Sequence, residues 1–207
     1  MFKKKQINDL YNQAKIQIKN FSYGELEGLS FFTPSTPMFF FAPLDYIWNF
    51  FIYAGSDTAY LEKYMDLPVT SRIVFSFMKP LLEKGYCLYT DHFYTSPRMA
   101  DLLVDCETGT VGIVRMTRKD MPAKGKEEKL KKGETIAAYR KKLVVLKWKD
   151  KKDLCILNTL HDDSTSIVQS KLGKEMHKPK AVANYNLNMG GFDLSDNLMV
   201  NFSTARN

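Results

Sequence analysis

Two acidic motifs, far apart along the chain, hold the residues best suited to chemistry. The first is Tyr89-Thr90-Asp91-His92-Phe93-Tyr94-Thr95-Ser96-Pro97. The second is Tyr185-Asn186-Leu187-Asn188-Met189-Gly190-Gly191-Phe192-Asp193-Leu194-Ser195-Asp196. Carboxylates that converge from separate elements can hold two metal ions about 3.5–4 Å apart, one activating an attacking oxygen and one stabilising a leaving oxygen. Mg²⁺, a hard cation that takes oxygen ligands, suits such a set. Bare carboxylates that close repel by about 4 kcal/mol at an effective dielectric near 20, and a bound cation offsets this. The chemistry is phosphoryl transfer of the kind that cuts and joins nucleic-acid strands. Asp193 and Asp196 are three apart, so on a helix they share a face. Each residue also has an ordinary reading. An aspartate after a strand is commonly a turn residue, and Asp193 or Asp196 equally suits a helix N-cap.

The elements that must position these residues follow from hydrophobic spacing. Ile7, Leu10, Tyr11, Ala14, Ile18 and Phe21 recur at three-four intervals, which predicts an amphipathic helix over Lys5 to Phe21. Tyr23 to Leu44 shows no period and contains prolines, so it reads as irregular. Tyr46 to Tyr53 is aromatic and β-branched, as a buried strand requires. Ser71 to Lys84 reads as a helix capped by Ser71, kinked at Pro80 and stopped by Gly85. Tyr86 to Thr90 is a short strand that ends at Asp91. Ser96 then caps a helix with Pro97 in its first position, and Thr108 to Val114 is the next strand. This alternation predicts a layered α/β core. Leu143 to Trp148 and Leu154 to Leu160 alternate and flank a charged turn, which predicts an antiparallel hairpin. Arg115 to Gly133 reads as a loop or short helix, and His161 to Lys180 as a polar linker. After Gly190-Gly191 the chain turns helical from Asp193.

Charge is concentrated in one place. Arg115 to Lys152 holds 15 Lys and Arg against 5 Asp and Glu, so this segment carries +10 of a chain whose net charge is +7, and the remainder carries −3. A local excess of this size favours a polyanion through counterion release, with a solvated lysine face as the alternative. A content of 44% apolar and 26% charged residues reads as globular rather than disordered. The Phe-rich stretch from Leu29 to Tyr53 is broken by Pro34, Pro37, Pro43 and Asp45, and no apolar run reaches about 18 residues, so no membrane span is expected. No apolar stretch follows Met1-Phe2-Lys3-Lys4-Lys5, so no secretory signal is expected either. Cys87, Cys106 and Cys155, an odd number without close spacing, read as reduced intracellular thiols. His161 and His177 lack zinc-ligand spacing, and His92 could orient Asp91 or a substrate phosphate or be an ordinary histidine. Trp148 and Tyr139 could stack on bases or serve as hairpin core.

From about Ser71 to Asn197 the sequence resembles the catalytic core of piggyBac-type DNA transposases and the cellular proteins derived from them. The likeness rests on Leu81-Leu82-Glu83-Lys84-Gly85-Tyr86 and on Leu88 through Ser96. It continues in Thr110-Val111-Gly112-Ile113-Val114-Arg115 with Arg118-Lys119, and in Lys131-Lys132-Gly133-Glu134. Leu146 to Lys151, Asn158 to Asp162, Lys178-Pro179-Lys180 and Tyr185 through Asp196 complete it, preceded by Trp48-Asn49-Phe50 and Ile52 to Gly55. The resemblance implies an α/β fold with an incomplete RNase H-like core, a mixed sheet with flanking helices, and a basic β-hairpin-containing insertion. It divides the chain into a divergent segment 1–44, the first part of the core 45–118, the insertion 119–180 and a core helix with the last acidic motif 181–207. It makes Asp91 the second catalytic and metal-binding aspartate and Asp193 the third, with Asp196 nearby. It implies Mg²⁺ as cofactor, DNA as partner through Arg115, Arg118, Lys119, Lys131 and Lys132, a homodimer or partner transposase, and a nuclear location.

The family's first catalytic aspartate lies in an Asp-Glu pair on the first core strand, and no such pair precedes Trp48. Asp9, Glu25, Glu27 and Asp45 are the acidic residues there, and none has a strand-like context resembling the family's. The family's cysteine-rich C-terminal domain and N-terminal DNA-binding portion are not matched. The expectation is a truncated, transposase-derived DNA-binding protein without autonomous strand transfer. A domesticated DNA-binding scaffold is the second reading. A decayed fragment is the third, and its exposed core edge would favour aggregation.

Overall fold

The structure is a computed structural model that describes residues 28–32, 38–42, 46–50, 62–123, 125–169, 173 and 175–189. Its centre is strand β4, Cys87–Thr90, in which every residue is buried. An inner strand covered on both faces needs such a continuous apolar run. Strand β1, Gly28–Phe32, pairs parallel to it on one side, and β5, Gly109–Ile113, pairs parallel on the other. Strands β2, Met38–Ala42, and β3, Tyr46–Phe50, continue outward from β1 as an antiparallel meander.

Beyond β5 the sheet does not stop. Strands β6, Thr135–Arg140, β7, Leu143–Lys149, and β8, Asp153–Asn158, pair antiparallel in series, and β8 pairs antiparallel with β5. The result is an eight-stranded sheet ordered β3-β2-β1-β4-β5-β8-β7-β6. The hairpin of β7 and β8 therefore continues the main sheet. Strands β9, Thr165–Gln169, and β10, Glu175–Pro179, form a separate two-stranded ribbon.

Side-chain alternation along β4 explains how both faces are covered. Leu88 faces helices α1, Val69–Met78, and α2, Pro97–Asp105, and joins a core with Val74, Phe75, Met78, Met99 and Leu103. Cys87 and Tyr89 face the other way and pack with Val111, Leu146 and Ile156 beneath Ala181, Val182 and Tyr185 of helix α3, residues 180–189. Ser96 caps α2 as its sequence predicts: its Oγ accepts the Met99 N–H at 3.2 Å, and Pro97 occupies the first turn.

Several sequence expectations need correction. The stretch from Tyr23 to Leu44 contains β1 and β2 rather than irregular chain throughout. In sequence, Pro34, Pro37 and Pro43 lie outside the ranges of these strands, so they do not exclude them. The expected bare edge beside the core is occupied by these strands. Helix α1 starts after Pro68, with Ser71 buried inside it and its N–H bonded to the Pro68 carbonyl at 2.8 Å. It ends before Pro80 rather than kinking there, since proline cannot donate the next helical bond. The polar stretch from His161 to Lys180 is the β9–β10 ribbon and the start of α3, not a linker. Its strands lack an apolar face because one side is open to solvent, with Ile167 exposed. Trp148 is a core residue, whereas Tyr139 is exposed. The helix expected over Lys5 to Phe21 and the helical turn from Asp193 lie outside the described residues.

The basic segment after β5 is held down by a buried cation. Lys147 Nζ donates to the carbonyls of Gly125 at 2.9 Å and Glu128 at 2.7 Å, and lies 3.3 Å from Asp153 Oδ2. Asp153 also accepts from Lys149 Nζ at 2.6 Å. These bonds, from Lys149 first and Lys147 second, hold the Asp153 carboxyl below its ordinary range. Lys147→Met would leave two carbonyls of the loop without their donor. We expect it to destabilise the fold by about 1–3 kcal/mol in chemical denaturation and to speed amide exchange over residues 121–131. A folded-state value below the unfolded one means that Asp153 stabilises above the unfolded value of 3.8, and that this is lost as pH falls through the folded value. Acid unfolding of Asp153→Asn should lack that component.

Candidate functional site

Asp91 stands at the C-terminal end of β4, between two parallel neighbours. In open α/β sheets ligands bind at this edge, because loops diverge from it and leave a crevice. The turn that follows is tightly determined. Asp91 Oδ1 accepts the N–H groups of Phe93 at 3.1 Å and Tyr94 at 3.4 Å, and the Asp91 carbonyl accepts from Thr95 Oγ1 at 2.6 Å and Thr95 N at 3.1 Å. Thr90 and Thr95 share a hydroxyl bond of 2.8 Å in full burial. Gly112 of β5 lies against them: a Cβ there would come within 2.2 Å of Thr95 Oγ1 and 2.8 Å of the Thr90 carbonyl. Only glycine lets the two strands and the threonine pair approach in this way.

A histidine and two arginines line the turn that carries the carboxylate. His92 Nδ1 is 3.8 Å from Asp91 Oδ2, too long for a hydrogen bond. Its Nε2 lies 2.8 Å from Arg115 Nη2. A guanidinium only donates, so Nε2 is the acceptor and the ring proton belongs on Nδ1, the nitrogen nearer Asp91. Arg118 Nη2 donates to the carbonyls of His92, at 2.8 Å, and Phe93, and so clamps the turn. Burial, and next the Arg115 charge, pull the Arg118 guanidinium below its ordinary range, while Asp91 acts in the opposite direction. An arginine stays charged through such a shift.

Helix α3 approaches the same strand end. Tyr89 Oη donates to Asn184 Oδ1 at 2.6 Å across 95 residues of chain. Tyr185 is buried, and burial followed by the Asp91 charge pushes its hydroxyl well above the usual tyrosine range. The second acidic motif begins on this helix. Asp193 and Asp196 lie outside the described residues.

The structure thus brings Asp91, Arg115 and Arg118 together and adds His92, Asn184 and Tyr185. Lys119 is exposed in the loop after β5. Lys131 and Lys132 are exposed just before β6, four strands from β4, which is roughly 19 Å at the usual strand spacing. The basic residues therefore form two groups rather than one patch. Sequence reading missed the contact between His92 and Arg115, which nothing in their spacing signals. It also missed the latch between Tyr89 and Asn184, although both residues lie within or beside the two acidic motifs.

The donors for a metal are few. Among the described residues no three His, Cys, Asp or Glu side chains gather closely enough to hold an ion. Strand β1, which flanks β4, reads Gly28-Leu29-Ser30-Phe31-Phe32 and carries no carboxylate. Its register pairs Phe31 with Thr90, so Phe32 is the β1 residue nearest the level of Asp91. Mg²⁺ takes near-octahedral oxygen ligands, and these residues offer the single carboxylate of Asp91, one oxygen of which already accepts two backbone bonds. The described residues alone do not make a Mg²⁺ site.

With this geometry in view, the comparisons with known proteins are specific. The family described as Transposase IS4 matches residues 38–207, and the chain belongs to it. The fold is similar to that in the cryo-EM structure of piggyBac transposase synaptic complex with hairpin DNA, with a TM-score of 0.62 and 22% sequence identity. The similarity covers 79% of this chain and 33% of that one, so the chain spans about one third of the transposase's length. The protein is related to piggyBac-type transposases. Among the described residues no helix is long and apolar enough to cross a membrane.

The packing of Gly112 on the threonine pair gives a direct test. Gly112→Ala should cost about 1–3 kcal/mol in denaturant unfolding, since a methyl group would be forced into packed polar atoms. It should also broaden or shift the amide resonances of Phe93 to Thr95.

Proposed function

We propose that the protein is a nuclear, transposase-derived DNA-binding protein whose RNase H-like sheet has kept the shape of a strand-transfer site without the metal chemistry. The observation that carries this reading is the contrast at the end of β4. Asp91 is held in a rigid turn that Arg118 clamps and on whose His92 Arg115 rests, while the residues of parallel strand β1 nearest its level in the register, Phe31 and Phe32, are not carboxylates. The order of the first five strands, an antiparallel β3-β2-β1 followed by parallel β4 and β5, supports the RNase H-like reading.

Two carboxylates without a third hold Mg²⁺ weakly and leave the charge that develops on a transferring phosphoryl group poorly stabilised. The arginines serve another purpose. Arg115 is exposed, and its bond to His92 leaves other guanidinium hydrogens for phosphate oxygens. Arg118 is committed to the turn and fixes the platform from which Arg115 projects. Lys131 and Lys132 supply a second binding zone, so a duplex would be held along the length of the sheet edge rather than at one point.

Binding should therefore be strong at low salt and fall steeply with ionic strength, with or without chelator. Arg115→Ala is expected to weaken duplex binding. Lys131→Glu with Lys132→Glu should weaken it further and flatten the slope of log affinity against log salt by roughly 0.9 for each phosphate that is no longer neutralised. Salt-insensitive affinity would defeat the DNA reading. Supercoiled plasmid incubated with Mg²⁺ or Mn²⁺ should stay intact. Nicking that disappears in Asp91→Ala would show that the site still cuts.

A further inference from the structure

The sheet ends at β6, and among the described residues no strand pairs with its outer side. In a two-residue hairpin the closing pair, here Arg140 and Leu143, is a hydrogen-bonded pair, and such pairs alternate along an antiparallel ladder. Ala138 with Val145 and Ile136 with Lys147 are then bonded pairs. The N–H and C=O groups of Thr135, Ala137 and Tyr139 consequently point away from β7, toward the open edge. An uncovered edge of this length, Thr-Ile-Ala-Ala-Tyr-Arg, contains no proline and no charge before Arg140, so it lacks the devices that usually block strand addition.

We propose that β6 is a docking edge for an extended acidic peptide segment of a partner protein. Charge selects this occupant. Lys131 and Lys132 bracket the strand at one end and Lys141 and Lys142 at the other, all exposed. Two acidic groups nearby are engaged: Glu134 Oε2 accepts the Lys131 N–H at 2.7 Å, and Asp101 pairs with Arg140 at 2.6 Å. A second copy pairing antiparallel about Ala137 would set Lys142 against Lys132 at both ends, while Arg140, which would face Glu134, is already paired with Asp101, so self-pairing is disfavoured. Duplex DNA would answer the lysines and the outward N–H groups. It would leave the outward carbonyls of Thr135, Ala137 and Tyr139 facing phosphate oxygens with no donor. A peptide strand satisfies donors and acceptors alike, and acidic residues flanking its small apolar centre meet the lysines at both ends.

The test uses the full chain and the peptide Glu-Glu-Val-Thr-Val-Thr-Glu-Glu, with the same peptide carrying lysine for every glutamate as control. The acidic peptide should bind, and it should slow amide exchange at Thr135, Ala137 and Tyr139 while leaving Ile136 and Ala138 nearly unchanged. Ala137→Pro removes an outward N–H and no bond to β7, so it should lower peptide affinity by about tenfold or more. Continued protection of Ile136 and Ala138 reports that the variant is folded. If that protection is lost, Lys141→Glu with Lys142→Glu decides, with a drop of about tenfold expected at low salt. Equal binding of the lysine peptide, unchanged affinity in the deciding variant, or protection of these amides by a DNA duplex but not by the acidic peptide would overturn the proposal. The variants at Ala137, Lys141 and Lys142 leave Arg115, Lys131 and Lys132 in place, so loss of peptide binding with duplex binding kept separates this outcome from the DNA reading.

Discussion

The close approach of β5 to the turn after β4 is the constraint on which the functional end of the molecule depends. Two parallel strands meet there with a glycine on one side and a buried pair of threonine hydroxyls on the other. Because no side chain separates them, the turn cannot slide, and the carboxylate of Asp91 is carried at a fixed place on the sheet edge. Arg118 completes the clamp from the loop after β5 by taking two carbonyls of the same turn. A rigid turn clamped by one arginine, with a second held on its histidine, suits a phosphate backbone, and its lone carboxylate is a poor cation site unless other carboxylates join it.

The rest of the sheet extends this platform sideways. The strands from β5 to β6 form a continuous surface, stiffened by Lys147 beneath its basic loop. Burying an ammonium group is costly unless its hydrogens are all answered, and here two carbonyls and a carboxylate answer them. The exposed lysines of the same segment are thereby presented on an ordered backbone. Charge acts on two levels: one buried cation builds the scaffold, and several exposed ones face solvent and whatever binds there.

How much of this was legible in the sequence follows from where each signal originates. The helix start at Ser96-Pro97 was readable because capping is local chemistry between residues three apart. The alternation of Leu143 to Trp148 and Leu154 to Leu160 likewise marks residues that pair as β7 and β8. Strands β1 and β2 were hidden by prolines that mark their ends, which a short window reads as loop. Strands β9 and β10 were hidden because polar residues occupy both faces of an open ribbon. For the site, Asp91 was visible from its place after a buried strand. The approach of Tyr185 and Asn184 was not, since it depends on how α3 crosses the sheet, and that is settled by the packing of Ala181, Val182 and Tyr185 on residues nearly a hundred positions away.

On the function proposed above, this end of the sheet holds phosphate by fixed cations and does not assemble a divalent metal site. A Mn²⁺ titration followed by electron paramagnetic resonance, on the wild type and on Asp91→Ala in the presence of duplex DNA, measures this directly. Superimposable curves with no saturable site in either protein are expected. A saturable site in the wild type that the substitution removes would contradict it.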